Sequence, residues 1–174
     1  MRRTTHSKQY NFITITVVGW IDVFTRMEYK DFIVQSLQHC QKHKGLEIYA
    51  YVIMTNHLHL VVYDSANPLS DVLRDFKTYT SKMLFKMIEQ NPQESRKKWM
   101  IGFFKEAGQQ NPLNLHHQFW QNENHPVALA THGMMQQKID YIHQNPVKAG
   151  FVNEAHEYLY SSASPLSPIK VMEV

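Results

Sequence analysis

The chain has 174 residues, 18 Lys+Arg against 15 Asp+Glu for a formal charge of +3, and 43% hydrophobic and 12% aromatic residues. That length suits one domain with one core, and the apolar fraction excludes an intrinsically disordered chain. The single cysteine, Cys40, excludes an internal disulfide and a cysteine-built zinc site. The opening MRRTTHSK lacks the apolar stretch of a secretory signal, and no run reaches the ~18 apolar residues of a membrane span, so the cytoplasm is the expected location. A slight positive balance permits a polyanionic partner without requiring one.

Taking the chain in order, YNFITITVV at 10–18 alternates Ile13, Ile15 and Val17 with Thr14 and Thr16, which predicts a half-buried first strand. Thr25 followed by Glu28 reads as a capping box. Tyr29, Phe32, Ile33, Leu37 and Cys40 then recur at helical spacing until Gly45, predicting a first helix. LEIYAYVIM at 46–54 and HLHLVVY at 57–63, separated by Thr55 and Asn56, predict an antiparallel hairpin. Pro68 and Ser70 open a long helix whose stripe is Val72, Leu73, Phe76, Thr80, Met83, Leu84 and Met87, with Arg74, Lys77, Ser81 and Lys82 opposite.

Residues 91–118 read as a short helix and a loop, an insertion within a single domain spanning 1–174. FWQNENHPVALA at 119–130 supplies at most an edge strand because of Pro126. A last helix is expected over about 132–144, burying Met135, Ile139 and Ile142 and ending before Pro146.

The hairpin carries the first chemical signal. In YVIMTNHLHLVV, 51–62, strand alternation puts His57 and His59 on one face with Val61 and Tyr63, and Leu58, Leu60 and Val62 on the other. With eleven histidines in the chain, one H-x-H pattern is expected about once by chance. Its placement is more telling, since two unpartnered imidazoles inside an apolar strand cost roughly 1–3 kcal/mol each. Two readings follow: core histidines satisfied by hydrogen bonds, or half of a divalent-metal site that needs a third ligand.

DYIHQNPVKAGFV at 140–152 offers that ligand. Tyr141 and Asn145, four residues apart, lie about 40° apart around a helix and share a face. By themselves they are equally an amphipathic edge residue and a residue preceding a proline.

VIMTNHLHLVV, LRDFKTYTSK, FWQ at 119–121 and YIHQNPVKAGFV, in that order, resemble the REP-associated tyrosine transposases, a branch of the single-tyrosine HUH transposases that act on single-stranded DNA. The resemblance runs from the FITITVVGW strand to YSS at 160–162. It implies an α+β fold of HUH-endonuclease architecture, a ferredoxin-like or RRM-like antiparallel sheet with helices packed on it. It also implies that His57, His59 and Asn145 bind Mg²⁺ or Mn²⁺, an open N/O site with room for phosphate oxygens. Tyr141 matches the nucleophile that forms a 5′-phosphotyrosine link, so strands are cleaved and rejoined without ATP.

The expected partner is single-stranded DNA, in particular imperfect REP-like hairpins, and a homodimer is one known arrangement of such enzymes. Arg74, Lys77, Lys82, Lys148 and the Arg2, Arg3 and Lys8 tail are candidate phosphate contacts, and Trp120 a candidate base-stacking residue. Each competes with an ordinary solvated or core role. This sequence has Thr55 where the family often has proline, and no role carries over to His125. Two other functions fit parts of the pattern: a noncatalytic nucleic-acid-binding module of the same fold, and a metal-dependent phosphodiesterase that uses water.

Overall fold

The computed structural model describes residues 9–64, 67–113 and 116–174. Its elements are β1 (Tyr10–Thr16), α1 (Met27–Lys44), β2 (Leu46–Ile53), β3 (His57–Asp64), α2 (Leu69–Gln90), α3 (Lys97–Gln109), β4 (Val127–Leu129) and α4 (His132–Lys148). The strands form one antiparallel sheet in the order β2-β3-β1-β4. This is the expected ferredoxin-like α+β arrangement, with β1 and β3 as the interior strands. Among the described residues no helix is long and apolar enough to cross a membrane.

The two sheet faces follow from the period-2 pattern of β1 and β3. Ile13, Ile15, Leu58 and Leu60 are at most 1% exposed and form one buried face of the sheet, with α1 packed on β2 and α2 on α1. Phe12, Thr14, His57, His59 and Val61 belong to the other face, which α4 crosses, packing against β2 and β3. α1 ends where expected, at Gly45, whose φ of 68° is the left-handed C-cap conformation that a side chain resists. β4 is a three-residue edge strand directly after Pro126, and its backbone pairs with Tyr10, Asn11 and Phe12. β1 is shorter than the alternating run because Val17 leaves the ladder for an isolated bridge to Trp120.

Two local expectations are corrected. Thr25 and Glu28 do not form a capping box; Arg26 is the N-cap of α1 and makes no side-chain cap bond. The Thr25 hydroxyl accepts instead from Arg96 Nη2 at 3.1 Å, and Glu28 Oε1 from Asn91 Nδ2 at 2.6 Å, so a distant segment holds both side chains. Nor does Pro146 end the last helix: α4 runs through it to Lys148. A proline this close to the C-terminus removes one bond of the ladder, and the last turn is closed by Ala149 N–H donating to Asn145 O at 3.0 Å.

The 91–118 segment is packed into the core. Met100 and Phe104 of α3 are fully buried, and Phe104 lies 5.0 Å from the Phe119 ring, centroid to centroid. The Glu94 side chain, 1% exposed, sits between Arg26 and Arg96 at 3.0 Å from each. Burial alone would raise its pKa, but the Arg96 hydrogen bonds and the two positive charges outweigh it and hold the carboxyl below its ordinary value.

Candidate active site

β3 and α4 bring three of the expected residues together. The His57 and His59 rings stand edge to face with centroids 4.6 Å apart, and the Tyr141 ring meets His59 at 5.3 Å. Phe12 of β1 completes the cluster, stacked on His59 at 5.2 Å and edge-on to Tyr141 at 5.9 Å. The histidines are neighbours because same-face residues of one strand are neighbours; Tyr141 reaches them because α4 buries Met135, Ile139 and Ile142 against the sheet, which turns the Tyr141 edge toward β1 and β3. Tyr141 itself is 41% exposed, and its hydroxyl has no hydrogen-bond partner among the described residues.

Each imidazole is held through Nδ1. His57 Nδ1–H donates to Asn56 Oδ1 at 2.6 Å, an amide oxygen that can only accept. His59 Nδ1 lies 3.0 Å from the hydroxyl of Thr14, its cross-strand partner. Desolvation lowers the pKa of His57, against the attraction of Asp22. Desolvation, with the positive charge of His57 and Lys138 adding to it, pulls His59 down to about 3. Both rings are therefore neutral at pH 7, as metal ligands must be.

Two imidazoles and one amide oxygen would make an open N/O site for a weakly held divalent ion rather than a closed structural one. With Nδ1 engaged on both rings, Nε2 is the nitrogen left to ligate. Asn145 stands half-buried one turn beyond Tyr141 on α4, and its amide makes no hydrogen bond among the described residues. Among those residues no three His, Cys, Asp or Glu side chains cluster closely enough to hold an ion, so the third protein ligand here would be an amide oxygen.

Lys138 is a residue the sequence reading missed. Its Nζ lies 4.5 Å over the Phe12 ring and 5.5 Å over the Tyr141 ring, a cation beside the candidate nucleophile. The signal was available, since Lys138 is three residues before Tyr141 and so on its side of the helix.

The expected DNA contacts fare differently. Lys77 does not face solvent: its Nζ donates to Gln121 O, Asn122 O and Asn124 Oδ1 at 2.5–3.2 Å, and desolvation lowers its pKa to about 8. The 121–124 segment lies over the helix face that the stripe left polar, and the amine fastens it. Trp120 is 4% exposed, stacks on Phe24 at 5.8 Å and donates Nε1–H to Thr80 Oγ1 at 2.9 Å, so it belongs to the core and offers no face to a base. Arg74 is exposed but paired with Asp71 at 2.8 Å and Asp75 at 3.0 Å. Lys82 and Lys148 are exposed. His125 is exposed beside Glu123, 3.5 Å away. Arg2, Arg3 and Lys8 lie outside the described residues.

The sequence matches the family described as "Transposase IS200 like" over residues 5–123, which includes β1, the histidine pair and α2. The chain belongs to the IS200-like transposase family. Among solved structures it is similar to a REP-associated tyrosine transposase bound to a REP hairpin, with a TM-score of 0.60 and 16% identity over 93% of this chain and 81% of that one. At that identity the likeness speaks for the fold. A presumed transposase from Deinococcus radiodurans is also similar, with a TM-score of 0.48 and 16% identity over 81% of this chain and 95% of that one. No curated protein sequence matches significantly. The family match stops before α4, so in this transposase the assignment of Tyr141 rests on its geometry and on the resemblance of YIHQNPVKAGFV.

Proposed function

We propose that this family member is a single-stranded DNA transposase that cleaves and rejoins strands at hairpin-associated sites through a phosphotyrosine on Tyr141. The observation that carries the reading is the meeting of the Tyr141 and His59 rings at 5.3 Å within one chain, beside His57. A neutral phenol is a weak nucleophile until its proton leaves, and the groups around Tyr141 help it to leave. The Lys138 ammonium steadies the phenolate that forms as the proton leaves to solvent. The Tyr141 oxygen attacks phosphorus, the P–O3′ bond breaks, and the departing 3′-oxygen takes up a proton. The product is a 5′-phosphotyrosine and a free 3′-hydroxyl, and attack by another 3′-hydroxyl reverses the step with no net change in phosphodiester count.

His57 and His59 through Nε2, with the Asn145 amide oxygen, would hold Mg²⁺ or Mn²⁺, which when bound supplies Lewis-acid polarisation of a phosphate oxygen. Hairpin DNA is the expected substrate because the fold-similar REP-associated enzyme is bound to a REP hairpin. Exposed Lys82 and Lys148 are the retained candidates for phosphate contact.

The test is a denaturing gel of the protein with 3′-end-labelled single-stranded hairpin DNA and Mn²⁺. The wild type gives a label that migrates with the protein and is released by protease. Cleavage without any adduct, with free phosphate ends, would mean that water is the nucleophile and the proposal is wrong.

A further inference from the structure

The turn before His57 contains a chain of side chains that the reaction outlined above does not use. Asp22, exposed between the two short 3₁₀ turns Val18–Trp20 and Val23–Thr25, receives two hydrogen bonds on Oδ1: from Thr55 Oγ1 at 2.6 Å and from Asn56 Nδ2 at 3.2 Å. The same Asn56 amide nitrogen lies 3.4 Å from Trp20 O. With its NH₂ group directed at these two acceptors, Asn56 has its carbonyl oxygen fixed on the opposite side, where it accepts from His57 Nδ1 at 2.6 Å. The flip state of Asn56 is thus decided by Asp22 and Trp20, and the tautomer of His57 is decided by Asn56. The main chain holds the same register, since Val17 N–H donates to Asn56 O and Phe24 N–H to Thr55 O.

Two odd features of the segment find a purpose in this chain of bonds. Trp20 has φ 57°, a left-handed conformation uncommon for any residue but glycine, and it follows Gly19 at φ 66°. That pair of residues turns the Trp20 carbonyl toward Asn56. Thr55, where related sequences often carry proline, anchors the turn to Asp22 through its hydroxyl and so replaces ring stiffness with a hydrogen bond.

We propose that Asp22 and Asn56 are positioning residues that lock His57 in its Nδ1–H tautomer, leaving Nε2 as the ligating nitrogen. The metal half of this inference rests on the reading under Proposed function; the tautomer half does not. His59, held by Thr14 from the neighbouring strand, is outside the relay and serves as the internal reference.

The experiment uses the full chain with ¹⁵N-labelled histidine, first metal-free and then titrated with Mn²⁺ alone. Ring-nitrogen shifts should show His57 as the Nδ1–H form in the wild type and as a tautomer mixture in Asn56→Ala, with His59 unchanged in both. Mn²⁺ affinity should fall about 10–100-fold in Asn56→Ala, the usual loss when a partner of a ligand is removed. It should fall by a smaller factor in Asp22→Ala, and melting temperatures should stay close to wild type. Asp22→Asn, which keeps an acceptor oxygen, should rescue most of the Asp22→Ala loss.

A wild-type His57 in the Nε2–H form, or an Asn56→Ala protein with wild-type tautomer and affinity, overturns the proposal. If Asn56→Ala does not fold, Asp22→Ala and its rescue decide the question by the same two readouts. A wild type that binds no Mn²⁺ but shows the Asn56-dependent tautomer supports the relay and refutes the metal site, so the two failures are told apart.

Discussion

Replacing Tyr141 with phenylalanine removes one oxygen from a residue that is 41% exposed and whose hydroxyl has no hydrogen-bond partner among the described residues. The ring contacts with Phe12 and His59 remain, so unfolding free energy should move by no more than about 0.5 kcal/mol, a melting shift of roughly 1–2 °C for a chain of this size. Tyr141→Ala, by contrast, loses both ring contacts, at about 0.5–1.5 kcal/mol each. Urea denaturation measures the stability of each variant, gel shift with hairpin DNA measures binding, and the denaturing gel measures the adduct. Tyr141→Phe should fold, bind and form no adduct. Tyr79 is the control: 55% exposed on α2, its ring lies 5.9 Å from Phe32 of α1, on the side of the sheet away from His59. An adduct in Tyr141→Phe that disappears in Tyr79→Phe would refute the residue assignment, and unchanged cleavage in both would refute the tyrosine mechanism.

Chelation should abolish cleavage yet shift the melting temperature by less than about 2 °C, because an open site of two imidazoles and an amide adds little to a core of this size; unfolding by the chelator would make the ion structural. In the metal-free protein His59 titrates at about 3 when folded and 6.5 when unfolded, so the unfolded chain binds the proton first and stability falls as pH drops through 6.5 toward 3. Between pH 7.5 and 5 the loss should be about 2 kcal/mol, read from urea midpoints, and an unaltered pH slope in His59→Gln would contradict it. Trp120→Ala should cost about 3–5 kcal/mol as a core truncation. Lys82→Ala should leave stability alone while lowering DNA affinity and the salt slope by about one, and an unchanged affinity and salt slope would remove Lys82 from the phosphate contacts. Because the Tyr141–His59 pair forms within one chain, mixing Tyr141→Phe with His59→Ala protein should not restore cleavage; complementation would show a site shared between protomers.

What the sequence made legible was what depends on near neighbours. The shared face of His57 and His59 follows from strand alternation alone, Gly45 announces its own left-handed turn, and Tyr141 and Asn145 share a helix side by their spacing. Apart from Pro146, whose helix simply runs on to Lys148, the misreadings involve segments far away in the chain. Lys77 looked solvated because nothing local shows that residues 121–124 lie on it, and Trp120 is buried by Phe24 and Thr80, both far from it in the chain. Thr25 and Glu28 had the letters of a capping box, but Arg96 and Asn91 claimed their side chains. Lys138 was overlooked for a different reason: its spacing from Tyr141 puts it on the same side of α4, but its contact with the Phe12 ring across the sheet is visible only in the fold.

The Glu94 bridge bears on how far this chain could be shortened. The 91–118 segment, which reads as an insertion in the sequence, has its Glu94 carboxylate inserted between Arg26 at the start of α1 and Arg96, and within 3.4 Å of the Tyr29 hydroxyl. Cutting it out would strand Arg26, uncover Phe119, and remove the Arg96 bond to Asp22 O from the short turns from which Asp22 reaches toward the histidine hairpin. A trimmed version would have to redesign that corner as a whole. The apparent insertion is thus a keystone of this corner, which a stepwise truncation would break at Glu94 first.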